Sequence, residues 1–444
     1  MRAVDRKLLW FLLFLFLPPC LAGQARKPIQ FTYPNGLKVT YYHFPGLTLS
    51  KILLTVDTGE AGTALKGRGL AEVAFRSLLK GGAGFSEGSI RKTLQNAGAK
   101  VEVETDSERM ALTISVPADK TKGILRFLAS VFSSPALAST VVEKEKRELA
   151  GRWERARGDR RELFELHGES LLFGERHPYG KSANSAGVRK ISLPQVRKFV
   201  TEEVAPANIE WTIVTSLSGE QVRDSLNFYV WDKRLVFKKA VPSVPQEREN
   251  TFVETSLGDG KALVVLAGFL PGSYKETTLN LQLFLHLLNG YLGSRAKLFF
   301  LTRQGVAPES FFRLYRERGW VALAVEVSTD RVGETVNAFS LLKEEMGSSF
   351  PTDLEEKDGK ASFVGTKYLG WQRLENYYRD ILDLSPEKRA ESFRLRERVQ
   401  RVEAERIKKI GQEFLSTSRF IVLGDSVVRG SLKGFFRVVK AESL

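Results

Sequence analysis

The side chains able to do chemistry in this chain of 444 residues are few and widely spread: four histidines, His43, His167, His177 and His286, and one cysteine, Cys20. A metal held on a helix needs two imidazoles one turn apart, so that both reach one ion from one face. The histidines lack that spacing. His167 and His177 are ten apart and share no helix face, and all four are expected to be structural. The segment GERHPYGKS from Gly174 looks like a phosphate loop, but it has five residues between its glycines and follows a helical stretch, not a strand. Charge does occur at a productive spacing. Glu72 stands four residues ahead of Arg76, the favourable order for an ion pair on a helix. A second run, Glu143 to Glu162, alternates acid and base along a helical stretch.

The elements that must position these groups are legible from periodicity. Strands are expected at Leu37 to His43 and Ile52 to Asp57, followed by helical spacing from Gly69 to Lys80 that GGAG at Gly81 to Gly84 ends. Ser86 is placed to cap a helix running to Ala97; Lys100 to Glu104 and Arg109 to Val116 read as a strand pair, and Asp119 to Phe132 as a helix. Thr140 and Glu143 have capping-box spacing ahead of one long charged helix expected to reach Leu172. A helix after Ser192 and a strand from Glu210 to Thr215 complete the series.

The series then repeats. ERMALTISVPADKTKGILRFLASVF from Glu108 has the plan of GWVALAVEVSTDRVGETVNAFSLLK from Gly319, and WTIVTSLSGEQV from Trp211 that of FIVLGDSVVRGS from Phe420. Both offsets are about 210 residues, so two tandem copies of one α+β domain are expected. The expected boundaries are a signal peptide at 1–25, a first domain at 26–232, a linker at 233–250 containing VPSVPQEREN, and a second domain at 251–444.

Composition supports a folded body: 43% hydrophobic and 27% charged residues are ordinary globular usage. The net charge is +15, but Lys and Arg alternate with acids instead of gathering on one stripe, so no nucleic-acid partner is expected. Arg2, Arg6 and Lys7 precede the apolar run Leu8 to Leu17, with small residues at Ala22, Gly23 and Ala25, the plan of a secretory signal peptide. Ten apolar residues fall short of the roughly 20 that span a bilayer. The expectation is therefore an exported protein, periplasmic or secreted, soluble after cleavage and keeping about +13 of charge. Cys20 follows Pro18 and Pro19 where a lipid anchor needs a small residue, so the mature chain is expected to rest on its cores without disulfides.

Five segments, taken in order, resemble the insulinase or pitrilysin type of zinc metallopeptidases, the family of the mitochondrial processing peptidase subunits. They are GRGLAEVAFRSLLKGGAG from Gly67, the helix start at Glu143 to Arg152, HPYGKS from His177, LNGYLGSRAKLFF from Leu288 and RQGVAP from Arg303. The resemblance implies two homologous domains, each a mainly antiparallel sheet flanked by helices, arranged as a clamshell. Active members carry His-x-x-Glu-His after a Gly-Leu-Ala segment; the histidines bind zinc and the Glu is the general base. Here Gly69, Leu70 and Ala71 are kept, while those positions hold Glu72, Phe75 and Arg76, and the later Glu ligand is replaced by Arg152. Arginine stays protonated and has no lone pair for a metal. The Arg and Tyr that the second domain of active members supplies to the transition state correspond to Leu301 and Pro308.

The expected catalytic residues are therefore none, and no metal or cofactor is expected. An ion-pair cluster of Glu72, Arg76 and Arg152 stands in for the metal; the bland reading is solvated side chains on a cleft wall without mutual contact. Glu145 keeps the position of a family acid but is expected to be an ordinary exposed Glu. The glycine-rich LGDGK from Leu257 reads as a loop before the strand at Ala262. The function implied is a catalytically inactive insulinase-family homologue. It is either the non-catalytic subunit of an exported two-subunit zinc peptidase, paired with a zinc-bearing subunit, or a clamshell that binds peptides or unfolded protein. The alternative is a stand-alone envelope binding or scaffolding protein that uses its basic surface for weak contacts with anionic polymers or lipids.

Overall fold

The computed structural model describes residues 29–63, 68–82, 84–181, 183–226, 249–272, 278–371, 394–432 and 436–441. The expected signal peptide and residues 233–248 of the expected linker lie outside the described residues.

The first half builds a six-stranded sheet from β1 (Ile29–Thr32), β2 (Lys38–His43), β3 (Leu49–Val56), β6 (Lys100–Thr105), β7 (Met110–Pro117) and β8 (Ile209–Thr215). A short hairpin of β4 (Gly81–Gly82) and β5 (Phe85–Ser86) stands apart from it. The second half builds another six-stranded sheet from β9 (Thr251–Glu254), β10 (Lys261–Pro271), β11 (Glu309–Arg313), β12 (Arg318–Ser328), β13 (Arg419–Gly424) and β14 (Arg437–Lys440). The first sheet runs β6-β7-β3-β8-β2-β1 and the second β11-β12-β10-β13-β9-β14. Position by position the pairings agree over five strands: β8 lies parallel to β2 as β13 does to β9, and the other neighbours are antiparallel. The sixth strands differ. β1 precedes β2 and pairs antiparallel, whereas β14 comes from the carboxyl end and pairs parallel.

The two central strands show how differently the sheets are covered. β3, LSKILLTV, alternates, burying Ser50, Ile52, Leu54 and Val56 toward a core formed with helix α1 (Leu70–Leu78) and helices Thr121–Ser133 and Leu193–Glu203. Its other face is half-buried. β10, KALVVLAGFLP, is apolar almost throughout and buried on both faces, the pattern of a strand with a layer on each side. One layer is the helices of its own half. The other is contributed across the chain by a helix of the first half.

That helix comes from a break in the long helix expected from Thr140 to Leu172. The chain forms α2 (Ser139–Ala156), turns at Gly158, and restarts as α3 (Arg160–Phe173) with Asp159 as N-cap, its carboxylate accepting from the N–H groups of Arg161 and Glu162. The capping box expected at Thr140 does not form; α2 starts from Ala138 without a side-chain cap. Freed from the line of α2, α3 lays Leu163, Phe164, Leu171, Leu172 and Phe173 on the outer face of the second sheet. Phe164 meets Trp320 edge-on at 6.3 Å and Phe173 meets Phe269 at 5.0 Å. Among the described residues no helix is long and apolar enough to cross a membrane.

Candidate functional site

α1 and α2 pack side by side, and their outward faces form one wall of a cavity of about 1180 Å³ between the two halves. α1 owes its orientation to its buried face: Leu70, Ala71, Val73, Ala74, Phe75 and Leu78 sit in the core, so Glu72 and Arg76 are left on the cavity side. Its N-terminus is held by Glu60, whose Oε1 accepts from the Glu72 N–H at 3.1 Å. Gly69, with φ of 116°, makes the entry turn, and a side chain there would collide with Val188.

The three charged residues singled out in the sequence meet. Glu72 Oε1 accepts from Arg76 Nε at 2.8 Å and, across the helix pair, from Arg152 Nη2 at 2.6 Å. Burial would push the Glu72 carboxyl up, but Arg152 and Arg76 outweigh it and hold it below the usual carboxylate range. Glu60 behaves oppositely. It is 3% exposed, its Oε2 has no hydrogen-bond partner among the described residues, and burial raises its carboxyl against the pull of Arg68.

Phe75 is not part of the cavity wall: it is fully buried and packs 6.3 Å from Phe132. Leu301, half-buried on the helix Arg295–Gln304, and buried Pro308 also lie outside the cavity lining. Glu145 requires a correction. It is 2% exposed and ion-paired with Lys80, because the face of α2 that buries Val142 and Leu149 carries it against the end of α1.

The zinc centre implied by the family resemblance does not fit these residues. Glu72 is the one carboxylate among the ligand positions and is already shared by two guanidinium groups that would repel a cation. Among the described residues no group of three His, Cys, Asp or Glu side chains is placed to hold a metal.

The histidines are engaged elsewhere. His43 Nδ1 lies 2.7 Å from the Leu217 carbonyl; His177 caps a short turn, accepts from the Tyr179 N–H and stacks on Phe173. His167 is buried at the α3 junction and pushed down to about 4, chiefly by burial and secondarily by Arg68. His286 does reach the cavity lining, stacked on Tyr291 and also pushed down to about 4 by burial.

Several cavity residues escaped sequence reasoning. LNGY, read only as part of a resemblance, forms the end of a π-helical turn, His286–Gly290, that aims Asn289 at the Pro308 carbonyl (2.8 Å) and Ser310 Oγ (2.5 Å). Asn289 Oδ1 has no hydrogen-bond partner among the described residues and lines the cavity. The edge strands of both sheets, β6 and β11, border the same space through Glu104, Ser310 and Arg313.

Beside the cavity the halves are joined by polar groups, some of them buried, that the sequence did not single out. Glu169 on α3 accepts from Ser107 Oγ at 3.0 Å and from the Tyr315 hydroxyl, and Arg68 lies 3.6 Å away. Glu108 accepts from the Tyr179 hydroxyl and from the Arg316 N–H, and Arg316 pairs with Asp57. At the start of α3, Arg160 donates twice to Asp259, at 2.8 and 2.7 Å, with Asp425 at 3.5 Å. LGDGK is thus tied to the junction by Asp259, its Gly258 and Gly260 adopting φ of 64° and 68°.

Known proteins match this chain as follows. Residues 38–167 match the model of the insulinase family, peptidase family M16. The fold is similar to that of a peptidase M16 inactive domain from Pseudomonas fluorescens, with TM-score 0.77 and 17% identity over 90% of this chain and 98% of that one. It is also similar to a protease from Helicobacter pylori, with TM-score 0.75 and 14% identity over 89% and 99% of the two chains. The first half of the periplasmic protease PqqL from Escherichia coli gives TM-score 0.71 and 14% identity over 93% and 95%. No curated protein matches the sequence.

Proposed function

We propose that this insulinase-type peptidase homologue is a non-catalytic subunit, exported from the cytoplasm, that holds extended peptide in the cavity between its halves while a zinc-bearing relative performs hydrolysis. The observation that carries this reading is Glu72 bound by Arg76 and Arg152 at the metal position, where neither guanidinium can ligate zinc. The general-base position supports it as well. Phe75 lies in the apolar core, where a catalytic carboxylate would be both desolvated and out of reach of the cavity. What remains useful is enclosure: two sheet edges, β6 and β11, border a cavity of about 1180 Å³, and edge strands recruit extended peptides by main-chain hydrogen bonds.

The apolar run Leu8 to Leu17 behind Arg2, Arg6 and Lys7 supports export, and a periplasmic protease is among the structures of similar fold. The test is zinc content and peptide hydrolysis of the purified protein lacking residues 1–25, alone and mixed with the zinc-motif homologue from the same organism. The expected result is a metal-free protein, inert alone, that changes the homologue's rate or elutes with it. Hydrolysis by the chain alone with stoichiometric zinc would overturn the reading, as would failure to pair with or affect the homologue.

A further inference from the structure

We propose that Arg76 and Arg152, set on Glu72 in the cavity wall, form a subsite for a peptide carboxylate, so that the chain selects segments carrying an acidic group at one position. This rests on the peptide-holding reading above and names its substrate class.

A guanidinium offers five N–H donors in a planar fork. Glu72 engages one nitrogen of each arginine, Nε of Arg76 and Nη2 of Arg152, and does so through a single oxygen. Neither arginine makes another hydrogen bond or ion pair among the described residues, and both line the cavity with side chains 33% and 43% exposed. Most of their donors are therefore open to a ligand. Two cations face one anion at this spot, and the shared oxygen holds both forks in register before any ligand arrives, which lowers the ordering cost of binding.

The ligand is a chain segment by size and surroundings. About 1180 Å³ exceeds the usual span of small-molecule pockets, roughly 300–1,000 Å³, and two sheet edges border it. The preference is for one carboxylate at one position, because Glu104 and Asp106 line the same cavity and repel a polyanion. The carboxylate has two sources, an Asp or Glu side chain or the peptide's own C-terminus.

Fluorescence anisotropy with labelled ten-residue peptides of matched sequence, carrying Asp, Ser or Lys at the centre, tests this at low and physiological salt. The Asp peptide is expected to bind several-fold more tightly than the Ser peptide. Arg76→Gln and Arg152→Gln are each expected to erase most of that margin with the melting transition retained. Amidated Asp peptides and free-acid Ser peptides separate a side-chain carboxylate from a C-terminal one. Arg406→Gln, in an exposed pair with Glu403 far along the second half, is the control for net charge.

Equal binding of the Asp, Ser and Lys peptides with free or blocked C-termini, unchanged affinity in both arginine variants, an equal loss in Arg406→Gln, or no peptide binding at all would each overturn the subsite. The two readings fail separately. A chain that modulates the homologue without charge preference loses only the subsite, and one that captures acidic peptides without touching the homologue loses only the subunit role.

Discussion

Arginine and carboxylate meet in two regions of this molecule, with different consequences. On the cavity wall the Glu72, Arg76 and Arg152 side chains are 18%, 33% and 43% exposed. At the junction of the halves, Glu169 and Arg160 are 4% and 2% exposed. Water screens the first set and leaves its net contribution to stability small; the second has given up hydration and depends on every partner. The junction is therefore the part whose disruption is expected to cost most stability, and the cavity wall the part whose substitution is expected to cost least.

The comparison breaks most visibly at Glu169. Glu169→Ala removes the carboxylate that accepts from the buried Ser107 and Tyr315 hydroxyls and faces the Arg68 guanidinium, and is expected to cost about 3–5 kcal/mol in urea unfolding. Arg160→Ala follows at about 2–3 kcal/mol, since it empties a buried site but releases Asp259, itself 43% exposed, to water. A loss below about 0.5 kcal/mol at both, the scale of ordinary surface changes, would remove the distinction between the regions.

Acid separates the carboxyls within the cavity wall. Folding raises the Glu60 carboxyl through burial, so its charge opposes folding at neutral pH, and that opposition fades as pH falls toward the usual value of about 4.3. Folding lowers the Glu72 carboxyl, so its contribution is complete above that usual value and is lost as pH falls through the lower folded one. Melting curves from pH 7 to 3 should show Glu60→Gln losing its advantage over the wild type on acidification. Glu72→Gln should close its deficit only at the acid end. Curves parallel to the wild type in both variants would contradict the assigned directions.

The smallest change is expected from Arg152→Gln, less than about 1 kcal/mol by urea midpoint, because the arginine is partly solvated and Arg76 still pairs with Glu72. A loss matching Glu169→Ala would show that the cavity cluster is structural after all.

Much of the fold was legible. The repeat from Glu108 and Gly319 marks β7 with its following helix and β12 with its own, and Ser86 and Ser192 cap the helices placed after them. The triad of Glu72, Arg76 and Arg152 was reachable because the first two lie one turn apart and the third falls at a fixed distance along a resembling motif. Glu145 was misread for a physical reason: in a helix with charge on nearly every side, composition does not reveal which face is covered. The break at Gly158–Asp159 had a usable signal, a Gly followed by an N-cap Asp, but the continuous charge pattern overrode it. β10 carried another, since an unbroken apolar strand announces two covered faces without naming what covers the second.

The sequence alone determined the duplicated α+β plan and the pairing of Glu72 with Arg76, because these depend on local periodicity and on spacing along one helix. Tertiary structure decided that α3 leaves its own half to cover β10, that Phe75 turns into the core, and that Glu169, Tyr315, Arg160 and Asp259 come together. Those contacts join residues 99 and 146 positions apart, and nothing in a local pattern specifies a partner brought near only when two sheets and the helix between them settle against one another.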